Sequence, residues 1–117
     1  MSPLAIRRID AASASGNVVI PAVALFEVAT LSHRGRIDLE GGLERWLDRA
    51  TELHGVRVEP LSGAVALDAA ALPGLTLGDP ADRFVIATAR VLDAPVVTRD
   101  KSILAYGRTG HVDVIRC

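Results

Sequence analysis

Short β-branched runs recur along this chain, and none is joined to the next by a two-residue turn. Val18-Val19-Ile20, Val56-Arg57-Val58-Glu59, Pro95-Val96-Val97-Thr98 and Val112 to Ile115 are separated by stretches with helical spacing. Parallel strands need a crossover, and a helix is the usual one, so this alternation predicts an α/β fold with a mostly parallel sheet flanked by helices. Punctuation between the runs agrees. Ser2-Pro3 reads as a helix start with serine as cap and proline in the first turn, followed by Leu4, Ile6, Ile9 and Ala12. Pro21 opens a second helix, apolar nearly all round from Ala22 to Leu31, with Glu27 its only charge. Leu43, Trp46, Leu47, Ala50 and Leu53 mark a surface helix. Gly63 to Leu72 reads as a small Ala-rich helix, Asp79-Pro80 opens a longer one to about Asp93, and a last helical turn surrounds Ile103 to Tyr106.

Length and composition narrow the possibilities. At 117 residues, half of them apolar, the chain reads as one domain, 1–117, with enough core to fold without staples. Cys117 is the lone cysteine, which excludes an internal disulfide and zinc sites of the CxxC kind and fits a cytoplasmic protein. The uncharged stretch Asn17 to Phe26 is broken by Pro21 and falls short of the roughly 20 residues a bilayer span requires. No apolar run follows Arg7 and Arg8, so the first residues do not read as a secretory signal, and no membrane association is expected. Thirteen cations against 14 anions argue against the strong basic field of a duplex-binding protein. Trp46, Tyr106, Phe26 and Phe84 are too few for a base-stacking platform.

Ligand sites in parallel α/β sheets lie beyond the carboxyl ends of the strands, so acids placed there are the first to weigh. Glu27 lies on the helix after the Val18 run, Asp100 follows the Val96 run, and Asp82 starts the helix that feeds it. Carboxylates that converge and repel one another favour a hard dication such as Mg²⁺ or Mn²⁺, and metal-assisted phosphodiester hydrolysis is the chemistry such a site supports. Each acid also has a structural role open to it. Asp79 is a good helix cap, Asp82 can favour the helix dipole, and Asp100 can cap the turn that follows. Glu27 has no cation among its helical neighbours, and an unpaired carboxylate is expensive if buried. Neither His33, His54 and His111 nor Ser13, Ser15 and Ser62 show the spacing of a metal or nucleophile site. Arg34, Arg36, Arg83, Arg99 and Lys101 lie near the proposed edge in sequence and are candidate phosphate donors.

Three ordered blocks carry a resemblance. Pro21 to Ala29 followed by Arg34-Gly-Arg-Ile37, then Asp79-Pro-Ala-Asp82-Arg-Phe-Val-Ile-Ala-Thr-Ala89, then Val97-Thr-Arg-Asp100, together resemble the PIN-domain ribonucleases of the VapC toxin type. The resemblance runs from Leu4 to Ile115. It implies a three-layer PIN-like fold and an endoribonuclease that hydrolyses RNA with Mg²⁺ or Mn²⁺, often as a homodimer inhibited by a cognate antitoxin. The family's acids fall on Glu27, Asp82 and Asp100, with Thr98 and Asp79 as accessories. Members of the family begin with a strand ending in aspartate, central in the sheet, and this chain shows no such strand before Ser2. The expected consequence is a pair of inner strand edges, at Val18 to Ile20 and Val96 to Thr98, whose backbone groups need partners, from residues upstream of Met1, from a strand lent by another chain, or from a sheet that closes with four strands. A degenerate, non-catalytic module that binds an antitoxin or a dimer partner is the alternative the same gap implies.

Overall fold

The computed structural model describes residues 2–74 and 78–117. Among the described residues ten elements follow one another in the expected alternation: α1 (Pro3–Ala14), β1 (Val18–Pro21), α2 (Ala22–His33), α3 (Leu43–His54), β2 (Val56–Glu59), α4 (Gly63–Ala70), α5 (Pro80–Leu92), β3 (Val96–Thr98), α6 (Lys101–Gly107) and β4 (Val114–Arg116). The fold is α/β, and both strand pairs are parallel.

Local chemistry sets the helix starts. The Ser2 hydroxyl accepts the Ala5 N–H at 3.1 Å and Ser62 accepts the Val65 N–H at 3.2 Å, each meeting a donor that the first turn leaves unpaired. Gly55 ends α3 with φ +62, and a Cβ there would lie 2.7 Å from the Ser13 carbonyl, so glycine is required both by conformation and by space.

β1 pairs with β2 from Val18↔Val56 to Pro21↔Glu59, and β3 pairs with β4 from Val96↔Val114 to Thr98↔Arg116. Among the described residues the pairs do not join, and the strands form two separate two-stranded sheets. The fourth strand lies two residues later than the Val112 to Ile115 expectation at its start. The Val96 N–H donates to the Asp113 carbonyl at 2.9 Å, so the ladder opens there, and Val112 is buried as part of the bend that precedes it. Burial in a bend and burial in a strand leave the same apolar mark on a sequence.

α5 is the organising helix. Ile86, Ala87, Thr88 and Ala89 are buried, Ile86 and Ala89 packing with Leu72, Val96, Ile103, Tyr106 and Val112, and Ala87 with Val65 and Ala69 of α4. Thr88 keeps its hydroxyl satisfied by donating to the Phe84 carbonyl at 2.7 Å. Polar ties close the same region. The Arg90 guanidinium grips Asp68 through Nε at 2.8 Å and a second nitrogen at 3.3 Å, and donates to the His111 carbonyl at 2.7 Å. The Tyr106 hydroxyl donates to the Pro73 carbonyl at 2.7 Å. α2, for all its apolar circumference, contains no buried residue and leaves Phe26 69 % exposed.

Candidate functional site

The three acids stand on different elements that the topology carries to the same edge. β1 ends at Pro21 and Glu27 lies in the second turn of the helix that continues from it. Asp82 is in the first turn of α5, and Asp100 immediately precedes α6, two residues beyond the end of β3. Glu27, Asp82, Thr98 and Asp100 all line one cleft of about 680 Å³ between β1 and β3.

Electrostatics at Asp82 record the convergence. Its carboxyl is pushed up from an ordinary 3.8 to about 6, first by burial and then by repulsion from Asp100, Asp79 and Glu27. Loss of water disfavours the charged form, and each neighbouring carboxylate adds to that penalty. Acids far apart along the chain thus act on one another's charge in the folded protein.

Two of the acids are also held by the backbone. Asp79 accepts the Ala81 N–H at 2.9 Å and caps α5. Asp100 accepts the Ile103 N–H at 2.9 Å through Oδ1, which leaves its other oxygen outside that bond. The Thr98 hydroxyl accepts the Asp100 N–H at 3.0 Å, so Thr98 orients the turn that presents Asp100. Glu27 differs from the expectation of a costly buried acid. It is exposed, because α2 lies on the rim of the cleft, and water meets the need for a partner.

The donor set is all carboxylate oxygen, which suits Mg²⁺ or Mn²⁺ and not a softer metal. Among the described residues, no three His, Cys, Asp or Glu side chains stand close enough together to enclose an ion as they are. The acids share a neighbourhood and a cleft, but they do not form a closed cage.

The basic candidates separate. Arg83 has a structural role: its guanidinium donates to the Ala69 and Ala70 carbonyls at 3.0 Å each, closing the end of α4, which leaves fewer of its donors for a phosphate. Arg99 donates to the Cys117 carbonyl at 3.3 Å and is otherwise exposed. Arg34, Arg36 and Lys101 are exposed, with Arg34 at the far end of α2, roughly 10 Å beyond Glu27 at 1.5 Å per residue. Arg8 of α1 lines the acid-bearing cleft and was not among the sequence candidates. It stands one turn before Ala12, which lines the same cleft with Ile9, and nothing in its sequence neighbourhood singles it out.

Comparison with known proteins decides the family. The PIN domain matches residues 2–108. The chain belongs to the PIN-domain family. Ribonuclease VapC22 of Mycobacterium tuberculosis is 34 % identical over 97 residues, which cover 83 % of this chain and 73 % of that protein. The likeness places this PIN domain with the VapC type, in agreement with the three sequence blocks. The matched region includes β1, α5 and β3, the elements that bring the acids together.

Proposed function

We propose that this PIN domain is a divalent-metal-dependent endoribonuclease, the toxin component of a toxin–antitoxin pair. The observation that carries the reading is one cleft lined by Glu27, Asp82 and Asp100 from three separate elements, where burial and repulsion from Asp100, the neighbouring Asp79 and Glu27 push the Asp82 carboxyl up. A site that makes its own negative charge expensive is one that a dication relieves. The relative's name, a ribonuclease of the VapC type, supports the same substrate class.

In this reading Glu27, Asp82 and Asp100 hold Mg²⁺ or Mn²⁺, directly or through water. The bound ion would lower the pKa of a water and offset the charge that builds on a phosphodiester in hydrolysis. Asp82, half-buried, provides the carboxylate whose charge the ion most relieves. Asp100 is fixed in direction by its bond to the Ile103 N–H and by Thr98. Glu27 reaches from the rim, and Asp79 keeps the first turn of α5 in place. Arg34, Arg36, Arg99 and Lys101 are the exposed cations available to RNA phosphates. A cognate antitoxin, a homodimer and a cytoplasmic setting complete the proposal. Among the described residues no helix is long and apolar enough to cross a membrane.

The test is Mn²⁺-dependent cleavage of RNA by the chain and by Asp82→Asn and Asp100→Asn. Loss of cleavage in both variants, with folding retained, is expected. Unchanged cleavage in either counts against the assignment. The open arrangement of the acids favours one competing reading, a non-catalytic module that binds an antitoxin or a dimer partner. Calorimetric titration separates the two, since that module takes up neither Mg²⁺ nor Mn²⁺ specifically.

A further inference from the structure

We propose that Arg83 is a positioning residue for Asp82: its guanidinium anchors the first turn of α5 to the end of α4, and so fixes where the half-buried acid stands relative to Glu27 and Asp100. The inference rests on the metal site proposed above, since it concerns how firmly one acid of that site is held. Asp79 and Asp100 are oriented directly, each by a backbone N–H that its carboxylate accepts at 2.9 Å. Among the described residues the Asp82 carboxyl has no such bond, and burial and the charge of neighbouring acids alone act on it. Its place is therefore set by the backbone of its helix.

The start of that helix is shaped by local bonds. Asp79 accepts the Ala81 N–H, and the Arg83 N–H donates to the Asp79 carbonyl at 3.2 Å, which closes the first turn on itself. Pro80 has no N–H to contribute. These bonds give the turn its form but do not fasten it to the rest of the fold. The Arg83 side chain does. Its Nε donates to the Ala69 carbonyl and its Nη2 to the Ala70 carbonyl, at 3.0 Å each, across 14 and 13 residues of chain. Both acceptors lie in the last turn of α4, where the helix offers them no N–H, so a charged fork meets two open carbonyls.

Beyond the first turn α5 is docked by other means. Phe84 and Ala87 pack with Val65 and Ala69 of α4, and Arg90 holds Asp68 through Nε at 2.8 Å. Arg90 lies about 12 Å along the axis from Asp82, at 1.5 Å per residue. Removing the donors of Arg83 therefore loosens the turn that carries Asp82 and leaves the helix in place, whereas removing Arg90 loosens the helix pair far from the acids. The difference matters to a hard dication. Mg²⁺ tolerates little departure from octahedral geometry, so a ligand on a loose turn binds it less well.

The experiment is calorimetric titration of Mn²⁺ into the whole chain and its Arg83→Met, Arg83→Lys and Arg90→Ala variants, with amide hydrogen exchange of each measured without metal. Arg83→Met keeps the apolar stem and loses every donor. It is expected to bind Mn²⁺ about tenfold more weakly, the scale on which loss of a group supporting a metal ligand is felt. Exchange in 81–84 is expected to quicken about tenfold while 86–89 stays as it was. Arg83→Lys keeps a charged donor without the fork and is expected to fall between. Arg90→Ala is expected to keep its Mn²⁺ affinity within about twofold despite its lower stability. Unchanged affinity or unchanged exchange in 81–84 of a folded Arg83→Met chain, or an equal loss of affinity in Arg90→Ala, overturns the positioning role and leaves the metal site standing. Arg83→Lys carries the same test if Arg83→Met does not fold, and wild-type affinity there has the same meaning. A wild-type chain that takes up no Mn²⁺ removes the site itself, and the role of Arg83 with it.

Discussion

An Asp82→Asn substitution preserves the shape of the side chain and removes a charge that the fold holds at a disadvantage. The Asp82 carboxyl stands at about 6 instead of 3.8 through burial and the repulsion of Asp100, Asp79 and Glu27. At about 1.36 kcal/mol per tenfold change in proton affinity, the ionised form costs the native state up to about 3 kcal/mol. Solvent reaches this half-buried group and screens part of that, and asparagine forgoes the roughly 0.3–1 kcal/mol an acid gains in the first turn of a helix. The expected net gain for Asp82→Asn at pH 8 is about 1–2 kcal/mol, a rise of roughly 4–8 °C in Tm. The pH dependence has a definite sign. Below 3.8 the acid is protonated in both states and makes no difference. Between 3.8 and about 6 the folded chain keeps a proton that the unfolded chain has released, so wild-type stability falls as pH rises. Above about 6 the whole penalty is present and stays constant. Urea melts of both proteins from pH 4 to pH 8 measure this directly. The reasoning fails if the variant is no more stable than the wild type at pH 8, or if their difference is the same at pH 4. Mg²⁺ or Mn²⁺ should raise the Tm of the wild type at pH 8 more than that of the variant, because a ligand stabilises only the form that binds it.

Other substitutions test neighbouring parts of the same structure. Asp100→Ala removes the acceptor of the Ile103 N–H and should cost about 1 kcal/mol, while Asp100→Asn should cost a few tenths; thermal melts of the two variants distinguish the cap from the proposed metal role, which both would lose. Arg90→Ala breaks the paired contact with Asp68 and the bond to the His111 carbonyl, and should lower stability by about 2 kcal/mol in denaturant melts. Arg90→Lys should recover little of it, since an ammonium cannot reproduce the fork. Gly107→Ala places a Cβ against the Val114 side chain and should cost about 1–3 kcal/mol, with less than additive loss when combined with Val114→Ala.

What the sequence makes legible is what neighbours along the chain decide. Ser2-Pro3 and Asp79-Pro80 can be read as helix starts because a cap is a bond between residues two or three apart, and both bonds are present. The α/β class is legible for a related reason, since strands separated by helices have few ways to associate. Partners distant along the chain are not legible. Arg83 looks like any surface arginine until Ala69 and Ala70, more than a dozen residues away, present their carbonyls to it. Glu27 looks like a buried acid because its helix is apolar all round, and only the position of α2 on the rim of the cleft shows that water reaches it. The acid cluster lies between these cases. A rule about strand ends picks out Glu27, Asp82 and Asp100, but the charge coupling among them depends on how α5 packs, which no spacing encodes.

The Ser2 hydroxyl, besides capping α1, donates to the Arg116 carbonyl at 2.9 Å and so ties the second residue to the next-to-last. A short loop can therefore join the two ends of the sequence without disturbing either α1 or β4, and the backbone can be reopened elsewhere. The exposed Gly41-Gly42 pair ahead of α3 is a suitable opening. Such a circular permutant would carry its new ends ahead of α3, so that an affinity tag extends from a loop and not from β4.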